Sequence, residues 1–393
     1  MWCSTKGRQS MNSTKEERPD EARTARVSFA AIDPRLEVNV VTPTERESRP
    51  GGMVWWGDAN RYPEYLWSLY REVPTLQSII DGNIDYVGGD AVDIRPLAEG
   101  LPPGCMNRRG DTIRDQVRDI AGDLGIYGGF ALQVIRDAAG RPAEVYWLDM
   151  RYVRTDKDCT RFWYSEKWGQ GGRRAVVYAA FRPELDWAAL DESGRAENAS
   201  SVLYVRGTRR MTYPSPRYAS AVKACEIERR IDDFHLNSLA NGFYGSFIVN
   251  FNNGVPADAV KEQVERDFTE KFAGAANAGR VMFSWNRDMT TRTTMETPKV
   301  EDFGEKYQAL AARARQEIFT AFRANPNLFG IPTEGNGFAN EQYEESFRLY
   351  NRTMITPMQD TIRSAYDTIY GAEGVLTIAP LTLGTAAGGP ANG

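Results

Sequence analysis

Two long stretches of this chain read as helices that can bury only a narrow stripe each. Residues 217 to about 241 place Ala224, Ile227, Ile231, Phe234 and Ser238 along one line, while Glu226, Glu228, Arg229, Arg230, Asp232 and Asp233 fill the rest. A second stretch begins near Glu301 and carries Phe303, Tyr307, Leu310, Ala311, Ala314, Ile318 and Phe322 at helical spacing. A helix of this kind is either exposed to water or packed sideways against copies of itself. Repeating one subunit around a ring is the natural way to use it.

What lies between the two helices is a compact insert. Ser246–Phe251 reads as a strand, Asn252 to Gly254 as a turn, and Pro256 opens a helix carrying Val260, Val264, Phe268 and Phe272. A loop from Gly274 to Gly279 leads to a strand at Arg280–Trp285. Upstream, helices are predicted around Leu66–Tyr70, from near Val73 as a short element, and from about Asp111 to Leu124, where Asp111 or Thr112 can cap the free N–H groups. The period then changes to two: strands are predicted at Phe130–Val134, Ala143–Leu148, Arg161–Tyr164, Ala175–Phe181 and Ser201–Val205. Beyond the second long helix, residues 324–340 form a loop rich in Asn, Gly and Pro. The last helix starts near Glu341 and should kink at Pro357. Residues 1–40 are too polar to offset chain entropy and read as a disordered arm; residues 384–393 read as a flexible tail.

Chemistry-bearing motifs are scarce. One histidine, His235, removes most reactions that need a His base or several His ligands. Four cysteines without paired spacing argue against a disulfide framework and against a structural zinc site. There is no nucleotide-binding P-loop, no G-x-S-x-G elbow and no H-E-x-x-H. The glycines at Gly125, Gly128 and Gly129 precede a strand rather than a helix, so they read as a turn and not a phosphate cradle. Acid pairs such as Asp90/Asp93, Asp232/Asp233 and Glu344/Glu345 read as solvated faces among 53 acidic residues. The aromatic cluster at Trp55, Trp56, Tyr62, Tyr65, Trp67 and Tyr70 and the thiol of Cys225 read as packing groups. A net charge of −5 over 393 residues opposes tight, sequence-independent binding to nucleic acid. No apolar run approaches ~18 residues and no signal peptide is visible, so a soluble protein made inside the cell is expected.

From about Tyr213 to Tyr370, the order of parts resembles the portal proteins of tailed bacteriophages. That family has a Ser-Pro element opening a long helix that ends in an F-x-N-G-like segment; here these are Tyr213 to Pro216 and Leu239 to Phe243. The strand, helix, Gly/Asn loop and strand that follow are similar to Ser246–Phe251, Ala257–Phe272, Gly274–Gly279 and Arg280–Phe283. The family's R-x-x-I-x-x-A-F helix and its Pro and Leu-x-Gly loop resemble Arg315–Phe322 and Pro326–Gly330. Its Asn-x-x-Gln loop and proline-bearing helix resemble Asn336–Gln342 and Thr356-Pro357, and its small-residue strand with a D-x-x-G turn resembles the stretch from Gly128 to Asp137. One departure is the Arg323 to Pro326 step, where the family often has a Val-Pro-Pro-like step.

The resemblance implies an α+β subunit with a mixed α/β wing at 41–213, stem helices at 214–243 and 301–323, and a small α/β clip at 244–300 inserted between them. It further implies a tunnel loop at 324–340 and a kinked C-terminal helix at 341–383 with a minimal crown. Copies would form a ring, commonly of twelve, at one capsid vertex of a virion assembled in the bacterial cytoplasm. Double-stranded DNA would pass through it non-specifically. The implied partners are the major capsid protein, the packaging ATPase (the large terminase) and a head-completion or tail adaptor; no membrane is involved. The loop residues Asn325, Asn327, Glu334, Asn336, Phe338 and Asn340 would face DNA. Val260, Val264, Phe268 and Phe272 would form the clip core, and Ile227, Ile231, Phe234, Tyr307, Leu310, Ala314 and Ile318 the stem stripes. The resemblance implies no catalytic, cofactor-binding or metal-ligating residue. The competing readings are another viral or secretion ring or adaptor protein, and an acid-pair hydrolase, which would need two facing carboxylates in a cleft.

Overall fold

The computed structural model describes residues 28–29, 41–95, 101, 104–168, 175–207, 210–240, 247–251, 254–272, 281–285, 303–331 and 340–382. The chain divides into two compact units, Met1–Glu37 with His235–Glu301, and Val38–Phe234 with Asp302–Gly393.

The first strand, β1 (Ser28–Phe29), belongs to the smaller unit. The larger unit begins with an antiparallel ribbon of β2 (Glu45–Glu47) and β3 (Val54–Trp56). Next come α1 (Tyr62–Glu72) and α2 (Pro74–Gly88), each with a proline in its first two positions. The element from Val73 is not short: α2 runs 15 residues, because Leu76, Ile79, Ile80, Asn83 and Val87 continue one buried face. After β4 (Ala91–Ile94), α3 (Ile113–Ile126) opens on a capping box, in which the Thr112 hydroxyl accepts from the Asp115 N–H and the Asp115 carboxylate from the Thr112 N–H. Gly128 follows at φ 81, and a Cβ there would stand 2.2 Å from the Ser215 carbonyl oxygen. The glycines thus serve a close backbone approach, in keeping with the turn reading.

Six strands then build the sheet: β5 (Gly129–Arg136), β6 (Pro142–Leu148), β7 (Val153–Thr155), β8 (Arg161–Tyr164), β9 (Val176–Ala180) and, after α4 (Glu192–Asn198), β10 (Ser200–Arg206). The order is β6-β5-β10-β9-β8-β7, antiparallel except between β10 and β9. Phe130, Ala131 and Leu132 are all fully buried, so this end of β5 is covered on both faces. A stack of Trp56 on Tyr213, 4.5 Å between ring centres, joins β3 to the segment leading into the next helix. Of the aromatic cluster, Trp56, Tyr62 and Tyr65 are buried, Trp67 and Tyr70 half-buried, and Trp55 is exposed.

That helix, α5 (Val222–Ala240), carries the chain into the smaller unit. There β11 (Phe247–Phe251), α6 (Asp258–Phe272) and β12 (Val281–Trp285) make the expected strand-helix-strand insert, with the two strands parallel. The sequence missed a third strand. Within the arm read as disordered, Ser28 and Phe29 pair antiparallel with Phe283 and Met282, giving the sheet order β1-β12-β11. Edge backbone groups demand hydrogen-bond partners, and β1 supplies them without any hydrophobic pattern.

The chain returns to the larger unit through α7 (Phe303–Phe322). A 3-10 turn at Pro326–Phe329 follows, then α8 (Asn340–Tyr350) and α9 (Thr356–Tyr370). The break expected at Pro357 is realised just upstream, as a π-helical turn at Asn351–Ile355. Proline lacks an N–H and its ring crowds the carbonyl four residues back, so the wider turn takes up the mismatch. Last, β13 (Leu376–Ala379) pairs antiparallel with β4, and the Asp90 carboxylate accepts from both the backbone N–H and the hydroxyl of Thr382. One hydrophobic core runs from Val54 to Cys225 and resumes from Ala314 to Ile378.

Candidate functional site

The two long helices are the first place to test function. Their stripes are graded. Ala314, Ile318 and Ile231 are buried, and Ile227 and Tyr307 partly so. Phe234 is 45% and Leu310 38% exposed, although the rings of Phe234 and Tyr307 lie 4.8 Å apart. One end of each stripe therefore belongs to the subunit's own core. The other leaves large apolar groups facing water.

The charged residues of α5 divide: Asp232 and Asp233 are exposed, as read from the sequence, whereas two acids one turn earlier pack within the subunit. Glu226 and Glu228 are buried. Arg229 donates to both oxygens of Glu226, at 2.7 and 2.9 Å, and to Glu72 on α1 at 2.9 Å. Burial opposes the Arg229 charge, yet the two carboxylates hold its pKa above the ordinary arginine value. One oxygen of Glu228 accepts from the Thr75 hydroxyl at 2.8 Å and from Arg315 on α7 at 3.3 Å; the other is buried without a partner. Arg229 follows Glu226 by one helical turn, a spacing visible in the sequence. Thr75 and Arg315 lie 153 and 87 residues from Glu228, so no local pattern could have shown its burial.

The stretch after α7 also differs from the free loop expected over 324–340. Its first part is folded. The Asn325 side chain caps the 3-10 turn by accepting from the Asn327 N–H at 3.2 Å, and Leu328 is buried. Tyr86 on α2 donates to the Leu328 carbonyl at 2.7 Å, and the Phe329 ring meets Tyr86, Phe319 and Tyr350. Asn340 is the first residue of α8. Glu334, Asn336 and Phe338 lie outside the described residues.

In the insert, Val260 was expected in the core but is 48% exposed, and Val264 is partly buried. Phe268 and Phe272 lie on α6, with side chains outside the description. The rings of Phe251 and Trp285 stack at 4.3 Å across β11 and β12. His235 is exposed on α5, Cys225 fully buried, and the acid pairs at 90/93, 232/233 and 344/345 are all exposed. Among the described residues, no group of three or more His, Cys, Asp or Glu could hold a metal, and no helix is long and apolar enough to cross a membrane.

Arg323, at the end of α7, went unnoticed in the sequence. It adopts φ 53, donates its N–H to the Thr320 carbonyl at 3.0 Å, and is followed by Ala324 donating to Phe319 at 2.9 Å. This pair of bonds is a Schellman cap, whose left-handed position usually holds glycine. Arg217 lies near it, its guanidinium 3.3 Å from the Met354 sulfur at the π turn. Burial, together with the positive charge of Arg323, lowers the Arg217 pKa.

The chain is a two-unit α+β protein whose long helices bracket a strand-helix-strand insert. The phage portal protein model matches residues 108–374, and the chain belongs to that family. An uncharacterized protein of Rickettsia felis is 32% identical over 118 residues; the match covers 30% of this chain and 29% of that protein. Among solved structures, the neck of a native gene transfer agent particle, computed with C12 symmetry, contains a chain with a TM-score of 0.50 and 18% identity. That match covers 84% of this chain and 86% of the other. The neck of an empty particle, computed with C6 symmetry, gives a TM-score of 0.51 and 16% identity over 86% of this chain and 88% of that one. At such identities the likeness is one of fold.

Proposed function

We propose that this chain is the subunit of a portal ring at one vertex of a capsid, through which double-stranded DNA enters and leaves. The family match over residues 108–374 carries the reading. The apolar groups left outside the core on α5 and α7 support it, because a ring neighbour is the surface that would cover them. Twelve copies is the expected number, in keeping with the symmetry of one similar neck particle. The wing would be 41–213 with the last helix, the stem 214–243 and 301–323, and the clip 244–300, which would meet the packaging ATPase and later the adaptor. The capsid protein would surround the wing. The subunit itself would be non-enzymatic, leaving ATP hydrolysis to the motor. A mildly acidic conduit attracts phosphate weakly overall, which lets DNA slide.

Negative-stain imaging of the purified full chain tests this. Rings with a central hole are expected. A protein that stays monomeric at micromolar concentration and assembly-permissive salt would overturn the reading.

A further inference from the structure

A groove of about 370 Å³ lies beside α8 and α9, lined by Phe347, Arg348, Asn351, Thr356, Gln359 and Pro380 among others. Pro380 directly follows β13, and the chain is pinned again two residues later. There the Thr382 N–H and hydroxyl donate to the Asp90 carboxylate, at 3.1 and 2.6 Å. Gln359, a buried residue of the groove, donates to the Val87 carbonyl at 3.1 Å, three positions before Asp90 in the chain. Groove and anchor thus share one corner of the larger unit. Two residues span at most about 7 Å, so the stretch that follows Thr382 sets out from beside the groove.

Three features identify what fills it. First, exposure alternates along Pro380, Leu381 and Thr382, with Leu381 packed against the core between two exposed neighbours. An extended chain that keeps this alternation turns Leu383 back to the core side, where Phe347 offers an apolar wall. Second, among the described residues the side chains of Arg348 and Asn351 meet no hydrogen-bond or ion-pair partner, so they are open to peptide groups. Third, the residues after Leu383 read Gly-Thr-Ala-Ala-Gly-Gly-Pro. They carry no charge and little side chain, so their backbone can approach closely. The groove's own charged residues, Glu344 and Arg348, cancel in sign, which gives it nothing to attract a charged ligand.

We propose that residues 383–389 fold back into this groove of their own subunit, with Leu383 against Phe347 and the following peptide groups on Asn351 and Arg348. The segment read from the sequence as a flexible tail is then a strap across α8 and α9. A short tether supplies an effective concentration on the order of 1 mM, so even a weak contact stays filled. The contact lies within one subunit and does not depend on whether copies form a ring.

Hydrogen exchange on the full chain tests it. The amides of Phe347–Asn351 should exchange roughly fivefold faster in Leu383→Asp, while those of β5 stay at parental rates and show that the fold is intact. Leu383→Met keeps an apolar group of similar volume and should match the parent. Equal exchange in all three chains would overturn the strap. Position is read separately, with Leu383→Cys and Asn351→Cys combined in a chain whose Cys3, Cys105 and Cys159 are replaced by Ser. Oxidation should join the two new thiols within one chain, giving a faster-running monomer on a non-reducing gel. Absence of that intrachain link would overturn the strap; links running only between chains would assign the groove to a neighbouring copy's tail instead.

Discussion

Gly82 sits on α2 where the Phe329 ring comes to rest, and a Cβ there would stand 2.7 Å from two ring carbons. The missing side chain is thus the seat of the turn that follows α7. Gly82→Ala should cost about 1–3 kcal/mol by overpacking, read as a lower denaturant midpoint. Unchanged stability would mean that the ring is not held there. A second residue-scale test concerns charge. Asp123 is buried on α3 and accepts from the Trp147 indole N–H at 2.7 Å. Burial, and after it the negative charge of Asp149, push its pKa well above the ordinary carboxylate range. A raised carboxylate pKa favours the protonated folded state, so this residue's penalty is absent at low pH and grows as pH rises past the unfolded value near 4. Asp123→Asn keeps an acceptor for Trp147. It should raise Tm at pH 7 and lose that advantage near pH 4; a gain that is equal at both pH values would contradict the assignment.

At the scale of elements, α5 is held to its neighbours by carboxylates rather than by its stripe alone. Glu228→Ala would strand the buried Thr75 hydroxyl and remove the link to Arg315. The expected cost is about 1–3 kcal/mol in urea unfolding, with Glu228→Gln, which keeps an acceptor for Thr75, costing less. Equal effects of the two would show that the hydrogen bond does not matter. The contrast shows what a sequence can display. The 3.6-residue stripes, the alternation in β5, the Thr112 cap and the insert between the long helices are short-range patterns, and all were legible. Glu228, the β1–β12 and β13–β4 pairings and the seat of Phe329 depend on partners tens to hundreds of residues away. Arg323 is a different case. Its left-handed backbone follows from the cap geometry, and nothing around it in the sequence signals a glycine position.

For the whole molecule, residues 332–338, read from the sequence as part of a tunnel loop, follow the folded turn at Pro326–Phe329. Deleting Pro332–Phe338 should leave rings intact and reduce DNA packaging or retention in capsids; full packaging and retention would refute a role in the channel. The chain's connectivity has a further consequence. The core of the larger unit is made from residues before 226 and after 313, and the His235–Glu301 part of the smaller unit is threaded between those halves. A ribosome must therefore finish the insert before it starts the second half of the main core. Until α9 and β13 emerge, the first half carries apolar surface with nothing to cover it, in a form that chaperones and proteases recognise. If copies of the chain form a ring, nascent chains should not be competent to join it, and assembly should follow the emergence of the last helix, which completes the core of the larger unit. Chains truncated before Thr356 should accordingly be soluble only with chaperone present, and should be excluded from rings made by the intact protein.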